Sequence, residues 1–162
     1  MTTFDVQTDI AAAPEVCFDL ARDVAFHARS LAHTRERIVH APDRALLELG
    51  DEVEFEGRHL GVRQRLRARI TAFDRPRGFR DEMTRGAFRS FAHDHRFEPT
   101  RTGTRMTDRV RFEAPFGPIG RLVARFVLRP YLRRLIAGRA DALRREAERR
   151  AQAGVGVWRA CE

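Results

Sequence analysis

The chain has 162 residues, 43% of them apolar and 33% charged, and 31 basic residues against 23 acidic ones give a net charge of +8. These figures exclude a disordered chain, a collagen-like repeat and a disulfide-stapled miniprotein, and leave a single soluble domain with a sizeable core. All 31 basic residues are arginine, with no lysine and no asparagine, so the pI near 11.2 partly reflects a cation that does not titrate below pH ~12.

Residues 3 to 10 alternate, with Phe4, Val6, Thr8 and Ile10 on one face, which predicts a half-buried strand. Pro14 suits the first helical position, and Val16, Cys17, Leu20 and Ala21 then recur at helical spacing. A second short helix is predicted from Val24 to Leu31, then a brief strand from Arg35 to His40. Cys17 lies in a helical pattern and Cys161 near the end, so no framework of disulfides is expected. The first residues lack a basic, then apolar leader, and no stretch approaches the ~20 apolar residues that cross a bilayer. The expectation is a cytoplasmic protein without a transmembrane segment.

Antiparallel strands follow. Val53, Phe55, Gly57 and His59 share one face, and Glu52, Glu54, Glu56 and Arg58 the other. From Leu60 to Phe73 the apolar set Leu60, Val62, Leu66, Ala68, Ile70 and Ala72 is interrupted by Gln64, with arginines at 63, 65, 67 and 69 opposite. A hairpin turning near residues 57 to 61 sets the glutamate row beside the arginine row, where each opposite-charge pair contributes ~0.2–1 kcal/mol. Beyond the turn at Arg75-Pro76-Arg77-Gly78, Phe79, Asp81 and Met83 share a face, Asp81 being either an inward carboxylate or the mark of a bulge.

Residues 87–98 and 104–113 read as one more hairpin. Phe91, His93, His95 and Phe97 share one face, as do Met106, Asp108, Val110 and Phe112 on the partner. With the turn centred near residue 100, Phe91 falls opposite Val110, His93 opposite Asp108 and His95 opposite Met106. After Ala114-Pro115-Phe116-Gly117-Pro118 the period is helical to about Arg150, with Ile119, Leu122, Val123, Phe126 and Val127 forming a stripe that Leu135, Ile136 and Leu143 extend. Pro130 is expected to kink this helix. The domain is set at residues 1–152, with 153–162 as a flexible tail.

The segments His59-Leu60-Gly61-Val62, Phe88 to Pro99, Gly103-Thr104-Arg105-Met106-Thr107-Asp108 and Pro115 to Leu122 resemble bacterial members of the SRPBCC superfamily, the START, Bet v 1 and polyketide cyclase group. The resemblance spans about residues 3 to 150. It implies an α+β helix-grip fold: a curved antiparallel sheet around a long C-terminal helix, two short helices after the first strand, and an apolar cavity between sheet and helix. His27 and His33 then belong to a lid region.

The implied ligand is a small hydrophobic molecule, lipid-, isoprenoid- or polyketide-like. Its expected contacts are Phe55, His59, Gln64, Phe91, His93, His95, Phe97, Met106, Asp108, Val110 and Phe112 on the sheet, with Leu122, Phe126 and Tyr131 on the helix. Twelve phenylalanines against one tyrosine and one tryptophan make such walls apolar. His93 and Asp108 either satisfy each other as a core polar pair or serve a cyclase- or dehydratase-type enzyme in proton transfer. Ser90 has no His/Asp partner, and nucleotide-binding and CxxC motifs are absent. His-x-His beside Asp is a ligand set without a second shell in the sequence, so no metal and no cofactor is assigned. Arg121, Arg125, Arg129 and Arg133, at i+4 steps, raise polyanion or anionic-membrane binding. No aromatic platform accompanies them, which disfavours nucleic acid. The oligomeric state is left open.

Overall fold

The computed structural model describes the backbone of residues 1–159 and the side chains of residues 1–153. Alternation of apolar and polar residues builds seven strands: β1 (Thr2–Ile10), β2 (Arg37–His40), β3 (Glu52–His59), β4 (Val62–Asp74), β5 (Gly78–Arg85), β6 (Ser90–Thr100) and β7 (Gly103–Glu113). They form one antiparallel sheet in the order β1-β7-β6-β5-β4-β3-β2. Helices α1 (Pro14–Ala21) and α2 (Val24–Ser30) carry the chain from one sheet edge toward the other. Pro14 opens α1, and the Asp23 carboxylate caps α2 by accepting from the Phe26 amide at 2.9 Å. A terminal rod follows: α3 (Gly117–Val123), a π turn over Ala124–Leu128, and α4 (Arg129–Arg159). The helix-grip architecture read from the sequence is the one observed.

Pro130 lacks the N–H that the Phe126 carbonyl would accept in an α-helix, and the π turn stands immediately before it. Helix α4 continues to Arg159, past the boundary set at 152, and residues 160–162 lie outside the described residues. The core has two parts. Under α1, Phe18 is fully buried, its ring edge-on to Phe73, Phe79 and Phe97 at 5.2, 5.6 and 5.7 Å. Under the start of α4, Phe4, Val110 and Phe112 meet Ala124, Leu132 and Ile136.

The glutamate and arginine rows stand side by side as expected, Glu52 pairing with Arg69, Glu54 with Arg67 and Glu56 with Arg65. Arg67 donates to Glu54 at 2.8 Å, and Arg65 and Arg37 to Glu56 at 2.7 and 2.5 Å. The carboxylates are thereby covered by guanidiniums on the outside of the sheet.

Two strand details differ from the expectation. A bulge between Ile70 and Ala72 reverses the alternation, so Ala72 is exposed and Phe73 turns inward to Phe18. The β6–β7 hairpin closes on the two residues Arg101 and Thr102, one position later than expected, which pairs Phe91 with Phe112, His93 with Val110 and His95 with Asp108. Gly103 permits this close turn. Its φ is +148°, and a Cβ there would overlap the Ile10 carbonyl oxygen. Thr104 Oγ1 ties the same end to the Ala12 carbonyl at 2.7 Å.

Candidate functional site

The inner faces of β3 to β6, the end of α2 and the terminal rod enclose a cavity of about 150 Å³. Its wall includes the expected residues Phe55, His59, Gln64, Phe91, His93, His95 and Tyr131, joined by Ile70, Phe79, Leu132 and Ile136.

Seven other residues expected there stand elsewhere. Phe97 and Met106 share the inner face with the wall, but belong to the core part that α1 covers. Val110 and Phe112 lie in the part covered by the start of α4. Asp108 sits behind the two histidines and bonds to both. Leu122 and Phe126 face outward, 60% and 67% exposed, because the rod sits on the body through Gly120 and Ala124.

A buried polar chain crosses one wall. His95 donates from Nε2 to Asp81 Oδ2 at 3.0 Å and from Nδ1 to Asp108 Oδ1 at 2.8 Å. His93 donates from Nε2 to the same Asp108 oxygen at 2.9 Å, and Phe79 stacks on His95 with ring centres 4.3 Å apart. Asp81 is therefore the inward carboxylate of the two alternatives.

Burial pulls the His95 imidazole down, but Asp108 and Asp81 outweigh it and hold its pKa above the usual value. Burial and the His95 charge push His93 the other way, toward the neutral form. Burial would raise Asp108, yet hydrogen bonds from both histidines hold it far below the ordinary carboxylate range, and His95 keeps Asp81 low in the same way. With its proton on Nε2, neutral His93 keeps a basic lone pair on Nδ1. Asp81, His93 and His95 each offer a ligand atom within 4.8 Å of the others, the set that would hold a divalent ion. Both His95 nitrogens face carboxylates, Asp81 and Asp108.

A second cluster surrounds Glu36. Thr34 Oγ1 donates to its Oε2 at 3.2 Å, and His27 and His59 Nε2 lie 3.5 and 3.7 Å from the carboxylate. His27 stacks on Phe55 at 4.1 Å, and the Tyr131 hydroxyl donates to His59 Nδ1 at 2.8 Å. Between the clusters lies Arg139, 6% exposed. Sequence reasoning missed Glu36 and Arg139. Arg139 left one signal, since it stands three residues after Ile136 and four before Leu143, on the apolar face of the helix.

Stability is expected to fall on both sides of neutrality. Burial, aided by the Arg139 charge, pushes His27 down to about 4, whereas the unfolded chain takes that proton near pH ~6.5. The unfolded state therefore binds more protons as pH falls from ~6.5 to about 4, and stability is lost across that window. His95 works in the opposite sense. Its contribution is complete below ~6.5 and fades as pH rises through its raised native pKa. Urea melts of the wild type and His27→Gln from pH ~4 to ~9 check this: the substitution flattens the acid limb, and an unchanged limb removes His27 as its source.

Among solved structures the chain is similar to TTHA0849 from Thermus thermophilus, at 18% identity over 94% of this chain and 99% of that one, with a TM-score of 0.70. It is similar to ginseng major latex-like protein 151 from Panax ginseng, at 13% identity over 90% and 97%, with a TM-score of 0.63. It also matches about half of the di-domain ARO/CYC StfQ from the steffimycin biosynthetic pathway, at 17% identity over 93% of this chain and 51% of that one, with a TM-score of 0.75. At these identities the likeness is one of fold. No curated protein matches the chain by sequence. The family model for polyketide cyclase / dehydrase and lipid transport matches residues 1–148, so the chain belongs to that family, within the group that its sequence resembles.

Proposed function

We propose that the protein holds one small, largely apolar molecule in this cavity, an oxygen acceptor of that molecule turned toward Arg139. One observation carries the reading: a buried guanidinium lining a cavity whose wall is largely, though not wholly, apolar. Arg139 Nη2 donates to the Ala21 carbonyl at 2.9 Å, while its Nε has no hydrogen-bond partner among the described residues. A buried, charged donor group with unmet hydrogen-bonding capacity is costly, and a ligand oxygen that accepts from the part of the guanidinium lining the cavity offsets that cost. Asp81, Asp108 and Glu36 already outnumber the charges of His95 and Arg139, so a neutral carbonyl or hydroxyl suits the place better than another carboxylate. Family membership supports a lipid-, isoprenoid- or polyketide-like skeleton.

Native mass spectrometry of purified protein, followed by organic extraction, is expected to release an apolar molecule that bears oxygen. Ala68→Phe fills the cavity from β4 and is expected to weaken binding of 2-acetylnaphthalene at least tenfold, roughly 1.4 kcal/mol. A chain that emerges empty and binds this probe no better than Ala68→Phe does sinks the reading.

A second reading, a cyclase- or dehydratase-type enzyme, is favoured by the neutral His93 at the cavity wall with Asp108 holding its Nε2–H. Here His93 moves the proton and Asp108 positions it. On this reading, His93→Gln abolishes turnover of a carbonyl substrate while leaving probe affinity within about twofold. Equal loss of both assigns His93 to binding.

A further inference from the structure

Ile119, Leu122, Val123, Phe126 and Val127 recur at helical spacing and are 71%, 60%, 41%, 67% and 47% exposed, and Phe116 just before them is 84% exposed. What α3 and the π turn bury is small, namely Gly120 and Ala124. A Cβ on Gly120 would overlap the Pro115 carbonyl oxygen, so the close seat requires glycine. The rod thus rests on its small residues and turns its large apolar side chains to the outside, the reverse of a helix whose stripe covers a core. An exposed apolar patch of this extent marks an interaction site.

The charge around it is one-sided. From Ala114 to Ala140 there is no acidic residue and there are six arginines, so this stretch carries six of the eight net positive charges. Arg121, Arg125, Arg129, Arg133 and Arg134 are all exposed. The acids that bound the stretch are occupied elsewhere, Glu113 by Arg89 and Asp141 by Arg144 and Arg145. The contrast with β4 is direct, where each arginine from 65 to 69 meets a glutamate of β3. The same rod then enters the cavity wall, where Leu128 and Tyr131 follow the exposed face by a few residues.

We propose that this face docks on an anionic lipid bilayer, with Phe116, Ile119, Leu122 and Phe126 among the acyl chains and the flanking arginines on the head groups. Large apolar side chains fringed by cations and free of acids match a surface that is apolar within and negative at its boundary. Among the described residues no helix is long and apolar enough to cross a membrane, and the rod is placed along the surface. This docking does not depend on what the cavity holds.

Co-sedimentation tests it, with vesicles of phosphatidylcholine containing about 30 mol% phosphatidylglycerol, and of phosphatidylcholine alone, in about 0.1 M salt. The wild type is expected to partition onto the anionic vesicles and only weakly onto the neutral ones. Leu122→Ser with Phe126→Ser lowers partitioning about tenfold or more, and Arg121→Gln and Arg125→Gln lower it about fivefold each. These positions are exposed, and the melting temperature checks that each variant is folded. Three outcomes overturn the proposal. The wild type fails to bind anionic vesicles, or the serine pair binds as well as the wild type, which assigns adsorption to charge elsewhere. In the third, sedimentation reveals a dimer that the serine pair dissociates, which gives the face to a second copy.

Discussion

Replacing Asp108 with leucine is expected to lower the unfolding free energy by about 3–5 kcal/mol. In a chain of this size that corresponds to a melting temperature about 6–20 °C lower. Asp108 is 3% exposed, and one of its oxygens accepts from both His93 and His95. Its loss leaves His93 without the acceptor for Nε2 and leaves the His95 charge to Asp81 alone. Breaking a buried pair costs more than the pair contributes, because the surviving charge remains desolvated. A combined variant, Asp108→Leu with His93→Leu, His95→Phe and Asp81→Leu, should therefore recover much of the loss by removing the stranded groups as well. Urea unfolding of both variants separates this from a packing defect. A loss under ~1 kcal/mol in the single variant would mean that the chain of carboxylates and imidazoles is not charged in the folded protein.

Phe18→Ala is expected to cost about 3–5 kcal/mol, the range for a buried aromatic removed from a closed core. The ring is completely buried, edge-on to three phenylalanines from three strands, so its space is framed by the sheet and cannot collapse. The effect also reaches the cavity. Phe79 touches Phe18 on one side and stacks on His95 on the other, so loosening it removes what holds the imidazole between its two carboxylates. Thermal unfolding measures the first effect. The His95 pKa, followed by NMR, measures the second, and is expected to fall toward ~6.5 as the hydrogen bonds weaken. A destabilised variant with an unmoved His95 would sever this link.

Much of the sheet was legible because period-two alternation decides which residues share a face before any partner is known. The same alternation put the glutamate row of β3 beside the arginine row of β4, as they stand. The β6–β7 register was misplaced, since nothing in Pro99-Thr100-Arg101-Thr102-Gly103 dictates that the turn closes on two residues. Correcting it moves each partner by two positions, an even step, so His93, His95 and Asp108 keep their shared face and Asp108 reaches both imidazoles. Leu122 and Phe126 were misplaced for a different reason. Periodicity groups residues onto one face of a helix, and only tertiary contact decides where that face points; here Gly120 and Ala124 take the body. Arg139 was hidden among 31 arginines, and Glu36 acquires its meaning only when His27 and His59 arrive from other elements.

The π turn reconciles two demands on one rod. In an uninterrupted α-helix, Leu132, ten residues after Leu122, would stand about 80° away around the axis. The residue inserted by a π turn shifts the angular register by about a further 100°, which brings the two to opposite sides. Leu122 accordingly looks outward while Leu132 closes the cavity. Straightening this turn into regular α-helix at the same length would swing one of these faces by a quarter turn or more. Either the outer apolar surface or the inner wall would then be lost, although every side chain that composes it remained.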